Sequence, residues 1–391
     1  MATDAKAVIS GTGISAIGRR TGIAALDLTA QAAGAAIADA GLSPADIDDV
    51  FSLGDTPVSE AAARLGIPQV TERGVPFGPR GLLEPIALAC QAVTTGRARH
   101  VLVYRTVQMI GGTVDSTESN GSNDSRAEAP RSGPNPMADS EIGHLLAAHA
   151  YSAANWLAMH CRKHMDLYGT TKEQLGWLAL NARRNAGRNP LAVYRDPISM
   201  DEYLFARPIS SPFGLLDCDV PVDGSIALVV SAPEHRADTP HAAVTVEAYG
   251  GASGAGGWTR RPDYPAMAAA DAAADMWSRT TLRPADVQLA ELYDGFSFLT
   301  LSWLEALGFC GVGEGGPFVE GGQRIALDGD LPLNTYGGQL SAGRMHGYWV
   351  LHEACQQLRG CAGPTALPQR PEVAVVSAGG GPIAGCVLLT C

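Results

Sequence analysis

The chain has 391 residues, with 46% hydrophobic and 17% charged residues, which is typical of a globular protein and excludes a disordered one. The net charge of −12, without a basic cluster, argues against nucleic-acid binding. No apolar run of about 18 residues predicts a transmembrane helix. The first residues lack the basic and apolar regions of a signal peptide. We therefore expect a cytoplasmic protein of two or more domain-sized units.

Cysteine usage indicates a reducing compartment and no built-in zinc site. The eight cysteines are scattered and none forms a CxxC pair. This pattern argues against both a disulfide framework and a zinc ribbon. We expect buried, reduced thiols.

Helices and strands alternate in the first part of the chain. The pattern predicts helices over 25–40 and 82–95, each ended by a glycine, and strands over 50–53 and 100–104. Such an order of helix, glycine and strand predicts a parallel sheet packed by helices.

The middle of the chain has a different character. Residues 113–131 are mostly polar and glycine-rich, which predicts either a surface loop or an insertion near a substrate entrance or partner surface. An apolar helix is predicted over 145–160, as core or as an active-site lid. Four histidines lie on or beside this predicted helix. No carboxylate or cysteine pattern nearby completes a metal site, so we expect no bound metal. They are His144, His149, His160 and His164.

The second part of the chain repeats the order of elements of the first. A helix over 265–279 runs into 282–287, whose sequence matches 42–47. A later helix over 351–358 and a strand over 373–377 match the second helix and strand of the first part. Two matches in the same order indicate a duplicated α/β domain.

We place the boundary between the two halves in the polar segment 234–240. The predicted domains are residues 1–235, with a loop or lid insertion at about 106–210, and residues 236–391, which carry the catalytic loops.

Four segments carry a resemblance to a known family. Residues 291–297 resemble the His-Asp-Cys-Phe segment of thiolase-like lipid-transfer proteins, and 334–341 resemble their Asn-x-x-Gly-Gly loop. Residues 377–381 resemble the C-terminal Cys-x-Gly-Gly-Gly turn of thiolases, and 216–224 the segment that closes their first half. The resemblance implies a thiolase fold, in which duplicated α/β halves form five layers, α-β-α-β-α.

The catalytic positions of a thiolase are replaced in this chain. The nucleophilic cysteine falls near Pro79, the two histidines at Tyr293 and Arg344, and the second cysteine at Ser377. Proline cannot take an acyl group, so an acyl-enzyme at that position is excluded. Cys90 lies about three turns inside its helix and is predicted to be a buried core thiol.

One branch of the family keeps the fold without this chemistry, and the chain resembles it: the aldolases that shorten steroid side chains. Their two functional tyrosines match Tyr293 and Tyr348, with Tyr336 as the alternative to Tyr348. The resemblance implies retro-aldol cleavage of a 17-hydroxy steroid acyl-CoA to a 17-ketosteroid and a short acyl-CoA, propionyl-CoA by default. No cofactor is implied, because CoA belongs to the substrate.

Retro-aldol cleavage needs two proton-transfer groups and a site for an enolate oxygen. Free tyrosine has a pKa of about 10, so a tyrosine base needs a neighbouring cation or hydrogen-bond network. We expect help from Arg344 and His346, and an orienting role for Asp294. The glycines of two loops are the candidates for oxyanion or substrate binding: Gly337, Gly338, Gly379, Gly380 and Gly381.

Two other functions stay open at this point. One is a thiolase-fold acyltransferase with another nucleophile, such as Ser377; the other is an inactive scaffold that binds acyl-CoA. The resemblance further implies a homodimer formed through the first half. It also implies a separate small partner with an OB fold and a zinc ribbon.

Overall fold

The computed structural model describes residues 6–53, 56–68, 70, 81–109, 140–253 and 257–391. Pro79 and the polar segment 113–131 lie outside these residues. The strands are β1 (Val8–Ile14), β2 (Asp49–Ser52), β3 (His100–Gln108), β4 (Pro208–Ser210), β5 (Phe213–Gly214), β6 (Asp223–Ser231), β7 (Val244–Ser253), β8 (Leu289–Glu291), β9 (Val373–Gly380) and β10 (Ile383–Thr390). The helices are α1 (Ala25–Asp39), α2 (Val58–Leu65), α3 (Glu84–Thr94), α4 (Glu141–Ala147), α5 (Ala153–Tyr168), α6 (Lys172–Ala186), α7 (Met200–Leu204), α8 (Ala268–Trp277), α9 (Ser297–Ala306), α10 (Gly315–Val319) and α11 (Tyr348–Arg359).

The main sheet shows the duplication directly. Its strand order is β2-β3-β6-β1-β7-β10-β9-β8, so each strand of the first half has a counterpart at the mirrored place in the second. The halves meet at a short antiparallel pairing of β1 with β7, where Val8 faces Thr245 and Ile9 faces Val244. The predicted duplicated α/β architecture is confirmed.

The sheet is mixed, which corrects the prediction of a parallel sheet. Among the strands of this sheet in the described residues, only the outer pairs, β2 with β3 and β8 with β9, are parallel. The strands β6 and β10 run antiparallel to both of their neighbours. A tight turn joins β9 to β10, and strands joined by such a turn must be antiparallel, whereas parallel strands need a crossover helix.

Helices lie on both sides of each half-sheet. Helix α1 packs on β1, β6 and β3, and α8 packs on β7 and β10. Helix α3 contacts β3 and β7, and α11 contacts both β6 and β9, so these two helices lie between the halves. The order of layers is therefore α-β-α-β-α, as the resemblance implies.

The outer helices approach their strands closely because both surfaces are built from small residues. A Cβ added at Gly13 of β1 would lie 2.2 Å from the carbonyl oxygen of Ala32 in α1. At the counterpart place in the second half, a Cβ at Gly250 would lie 2.1 Å from the carbonyl oxygen of Ala272 in α8. Any side chain here would push the helix off the sheet, so glycine is required for close packing.

The predicted helix over 145–160 is divided in the structure. Helix α4 ends at Ala147 and α5 begins at Ala153, because the backbone turns at His149, which has a φ of 62°. The predicted domain boundary falls on a short helical turn, Pro233–Ala237, between β6 and β7; the domain limits themselves stay a prediction. Among the described residues, no helix has the length and apolar character needed to cross a membrane.

Candidate active site

Tyr293 lies just beyond the carboxyl end of β8. The last residue of that strand, Glu291, pairs with Val376 of β9, which brings Tyr293 level with the end of β9. The backbone N–H of Tyr293 donates a hydrogen bond of 2.9 Å to Oγ of Ser377. Tyr293 is only 9% exposed. Its phenol is therefore held in the interior by a fixed backbone.

Tyr348 begins α11 and approaches the same strand end. The preceding Gly347 has a φ of 91°, and a Cβ there would lie 2.3 Å from the Cβ of Ala378. Ala378 follows the serine that binds the Tyr293 backbone. The chain segments that carry the two predicted catalytic tyrosines therefore both lie beside residues 377–378 of β9, and Tyr348 is fully buried.

Tyr336, the alternative to Tyr348, is also fully buried. Its ring stacks on Trp349, with 5.0 Å between ring centroids and an interplanar angle of 26°. Burial raises the pKa of the Tyr336 phenol well above its usual value, and the negative charges of Asp294 and Glu291 raise it further. Tyr336 is therefore a protonated phenol.

Two arginines act electrostatically on Tyr293. Burial raises the pKa of the Tyr293 phenol and the negative charge of Asp219 raises it further, while the positive charges of Arg344 and Arg105 act in the opposite direction without offsetting this rise. Arg344 pairs with Asp219 at 3.3 Å and contacts the sulfur of Met109 at 3.1 Å. Burial raises the pKa of Asp219 to about 6, although Arg344 lowers it. The predicted help from Arg344 thus has a structural basis, and Arg105 adds a second cation.

His346 is neutral in this arrangement and accepts a hydrogen bond from Arg105. Its Nδ1 contacts Nη2 of Arg105. A guanidinium can only donate, so Nδ1 accepts and the ring proton lies on Nε2. Burial, together with the charges of Arg105 and Arg344, holds the pKa of His346 well below its usual value. His346 therefore cannot act as a cationic acid here, but its Nε2–H remains able to donate.

Asp294 joins two segments of the candidate site, as its predicted orienting role requires. Its carboxylate accepts the backbone N–H of Gln339 at 2.7 Å and that of Leu340 at 3.3 Å, at the start of the π-helical turn Gly338–Ala342. A Cβ at Gly338 would lie 1.9 Å from Oδ2 of Asp294. Burial raises the pKa of Asp294 to about 7, and these backbone bonds lower it. Asp294 thus ties the Gly337–Gly338 loop to the Tyr293 segment.

The second glycine loop, at the β9–β10 turn, is packed on its outer side. The N–H of Gly381 points at the sulfur of Met267 at 3.1 Å, and the indole of Trp303 donates to the carbonyl of Gly379 at 3.0 Å. The Gly381 N–H is thus already used, and Gly379 and Gly380 pair with Ala384 and Ile383 of β10. These glycines are predicted to bind the oxyanion. That role stays a prediction.

Two positioning residues were not identified from the sequence. Arg105 lies in β3, directly after a run of apolar residues, and it is only 7% exposed. A charged residue in an apolar strand is unusual, and this was the signal that the sequence offered. Asp217 is fully buried and accepts hydrogen bonds from Ser297 at 2.6 Å and from the backbone of Gly214 at 2.7 Å. It anchors the start of α9, directly after the Tyr293 segment.

Cys90 is a core residue, as predicted. It is 4% exposed within α3, and burial raises its pKa to about 12. A thiol of that pKa is almost entirely protonated at neutral pH and is a poor nucleophile.

We expect the Cys90→Ala variant to keep turnover within about threefold of wild type and to lose about 1 kcal/mol of stability, because a small core side chain is shortened. Steady-state kinetics and thermal unfolding measure the two effects. A folded but inactive variant would show that the reaction uses this thiol.

The four histidines near α4 and α5 hold structural contacts. His160 lies between the carbonyl oxygens of Pro265 and Trp258, at 3.0 and 2.6 Å, and His164 contacts Glu305 at 3.1 Å. In the described part of the chain, no three histidine, cysteine, aspartate or glutamate side chains are placed to hold a metal.

Known proteins provide an independent comparison. The model of the thiolase C-terminal domain-like family matches residues 250–389. The chain is 33% identical to the 17-hydroxy-3-oxo-4-pregnene-20-carboxyl-CoA lyase of Mycobacterium tuberculosis, over 98% of this chain and 99% of that protein. It is 32% identical to the steroid side-chain-cleaving aldolase of Thermomonospora curvata, over 98% and 97% of the two chains.

A solved structure agrees with these relatives. The Ltp2-ChsH2(DUF35) aldolase superposes with a TM-score of 0.88 at 30% identity, covering 99% of this chain and 98% of that one. Identity of this level over the full length, together with a common fold, establishes family membership. The chain belongs to the thiolase superfamily and, within it, to the steroid side-chain-cleaving aldolases, which are carbon–carbon lyases.

Proposed function

We propose that this enzyme is a retro-aldolase that cleaves the side chain of a 17-hydroxy steroid acyl-CoA. Breaking the bond between C17 and the carbon next to the thioester leaves a 17-ketosteroid and a short acyl-CoA. A side chain that carries a 20-carboxyl-CoA group would release three carbons as propionyl-CoA. Full-length similarity to relatives named for this chemistry supports the assignment.

The observation that carries the proposal is the position of Tyr293. A buried phenol on which the charges of two arginines act lies at a strand end, where a thiolase would have a histidine. A base must take the proton of the 17-hydroxyl group as the carbon–carbon bond breaks. Arg344 and Arg105 stabilise the phenolate form of Tyr293 against the effect of burial. We assign Tyr293 as this base.

Tyr348 is assigned as the acid that protonates the enolate carbon. It is fully buried, so its neutral form is favoured before the reaction. It also occupies the first position of α11, where the positive end of the helix dipole stabilises the phenolate that remains after proton transfer. The enolate oxygen is held by the backbone N–H of Gly379 or Gly380 and by the Nε2–H of His346.

Ser377 is better explained as a positioning residue than as a nucleophile. Its Oγ accepts the Tyr293 N–H, and the residue is fully buried in β9. An acyltransferase nucleophile must instead face the substrate and a base. The structure thus offers no feature that favours the acyltransferase alternative at this residue.

Analysis of the products tests the assignment. The full chain, with its co-expressed partner where one copurifies, is incubated with a 17-hydroxy steroid 20-carboxyl-CoA ester. We expect equal amounts of 17-ketosteroid and propionyl-CoA. An acyl-enzyme detected by mass spectrometry would instead support an acyltransferase. CoA-ester binding without any product would support a scaffold.

The assembly is part of the proposal. The solved relative is named as a two-component aldolase, with a ChsH2(DUF35) component. We propose that this chain likewise works with a small OB-fold, zinc-ribbon protein and forms a homodimer through its first half. Mass determination of the co-expressed complex checks both statements.

A further inference from the structure

Asn334 turns the chain away from β8 beside the tyrosine segment. Among the described residues other than glycine, a positive φ occurs at His149, Asn334 and His346, and the last two lie in segments of the candidate site. The φ of Asn334 is 51°. Asparagine tolerates this left-handed region better than most residues, but the conformation costs energy unless the surrounding contacts hold it. A backbone outlier of this kind indicates a local function.

Before this turn, residues 332–334 pair with β8. The N–H of Ala290 donates to the carbonyl of Pro332 at 3.0 Å, and the N–H of Asn334 donates to the carbonyl of Ala290 at 3.1 Å. A parallel pair that continued would next join the N–H of Leu292 to the main-chain carbonyl of Asn334. Instead, the side-chain Oδ1 of Asn334 accepts that N–H at 2.7 Å. The side chain therefore replaces the carbonyl of its own residue.

The main-chain carbonyl released by this exchange is bound by α6. Nδ2 of Asn185 lies 3.1 Å from the carbonyl oxygen of Asn334 and 3.0 Å from that of Leu333. Both carbonyls can only accept, so the amide must turn its NH2 group towards them. Its Oδ1 is then buried without a hydrogen-bond partner in the described part of the chain. A buried acceptor without a partner is costly, and the two bonds to the loop explain this orientation.

Asn185 is the middle member of an asparagine ladder on and just after α6. Its members are four residues apart, so they lie on one face of the helix: Asn181, Asn185 and Asn189. All three are at most 5% exposed. Nδ2 of Asn181 donates to the carbonyl of Leu333 at 3.0 Å, and that of Asn189 donates to the carbonyl of Tyr336 at 2.8 Å. Of these hydrogen bonds, those of Asn185 alone reach Asn334.

The residue that Asn334 holds directly precedes Tyr293. The N–H of Tyr293 is itself bound to Ser377 of β9, so two consecutive N–H groups are fixed by two different segments. The ring of Tyr293 lies against Gly295, where a Cβ would be 2.7 Å from Cε1 and 3.3 Å from the hydroxyl oxygen of the tyrosine. The backbone at 292–293 therefore determines where the phenol lies. A reacting group displaced by about 1 Å can cost about a hundredfold in rate.

We propose that Asn334 is a positioning residue for the base Tyr293, and that Asn185 holds Asn334 in the conformation that this role requires. Asn334 fixes the peptide before Tyr293 through the Leu292 N–H, and Asn185 binds the carbonyl that Asn334 gives up. Neither residue is assigned a contact with the substrate. The kinetic consequence rests on the proposed aldolase function, whereas the bond to Leu292 has a test of its own.

The Asn334→Gly variant separates the side chain from the backbone conformation. Glycine adopts a positive φ without strain, but it has no acceptor for the Leu292 N–H. With a 17-hydroxy steroid 20-carboxyl-CoA ester, we expect ketone formation to slow by about tenfold or more, in the first turnover and in the steady state. KM should stay within about threefold of wild type. Amide hydrogen exchange, followed by mass spectrometry, should be faster in the peptide that contains Leu292 and Tyr293.

Asn185→Ala and Asn181→Ala form a matched pair. Both variants remove a buried amide that donates to the carbonyl of Leu333, but only Asn185→Ala also removes a bond to Asn334. Thermal unfolding should show that both lose stability. Asn185→Ala should slow ketone formation by about tenfold with little change in KM, whereas Asn181→Ala should keep the rate within about threefold of wild type.

The positioning role is wrong if the folded Asn334→Gly variant keeps the wild-type rate, or if its Leu292 peptide exchanges no faster than in wild type. It is also wrong if Asn181→Ala slows the reaction as much as Asn185→Ala does, because the bond to Asn334 would then make no difference. Should Asn334→Gly not fold, this comparison decides alone. A wild-type enzyme that forms no ketone would contradict the aldolase function, and hydrogen exchange would then decide the link between Asn334 and Leu292.

Discussion

The Tyr293→Phe variant is expected to lower the rate of ketone formation by about a hundredfold or more, in the first turnover as well as in the steady state. The change removes the hydroxyl that takes the substrate proton, and general bases contribute on this scale. The ring stays in place, because Ser377 holds the backbone through the Tyr293 N–H. Affinity for the CoA ester should change little. Rapid-quench kinetics and circular dichroism measure activity and folding.

Tyr104→Phe is the matched control for this variant. Tyr104 is also a fully buried tyrosine, but it lies in β3 among the residues packed against α1, and its hydroxyl donates to the carbonyl of Thr56. Its loss should cost about 1 kcal/mol of stability and leave the rate unchanged. A folded Tyr293→Phe variant that retains the rate of Tyr104→Phe would end the assignment of Tyr293 as the base.

The repeat in the sequence predicted the architecture because each half forms its own layer of helices and strands. The sequence directly shows the glycines and alanines that allow α1 to approach β1 and α8 to approach β7. Strand direction was mispredicted, since helix and strand order alone does not show that β6 and β10 return antiparallel. The break at His149 was missed because its surroundings remain apolar at helical spacing.

The site was predicted in part, and the missing residues share a physical cause. Tyr293, Asp294 and Arg344 lie in loop segments whose residue types resemble a family pattern. Arg105 and Asn185 lie within regular elements, and only the folded chain brings them near His346 and Asn334. A sequence shows which residues are unusual, but not which distant oxygen or nitrogen they will meet.

The Tyr348→Phe variant is expected to lose about a hundredfold or more of the first-turnover rate, because the enolate would have no acid to protonate its carbon. The α11 helix should remain, since its start depends on Gly347 packed against Ala378 rather than on the hydroxyl. The defect should persist when enzyme is in excess over substrate, because the first cleavage already needs the acid.

Tyr336→Phe decides between the two tyrosines of this segment. The Tyr336 ring stacks on Trp349 and burial keeps its phenol protonated, so this residue is expected to support packing rather than proton transfer. Both the first turnover and the steady-state rate of Tyr336→Phe should therefore stay within about threefold of wild type, far from the loss expected for a general acid. If the first turnover is instead lost in Tyr336→Phe and kept in Tyr348→Phe, the acid is Tyr336. Tyr293 would remain the base in that case, because the two arginines that stabilise its phenolate do not depend on which tyrosine protonates the enolate.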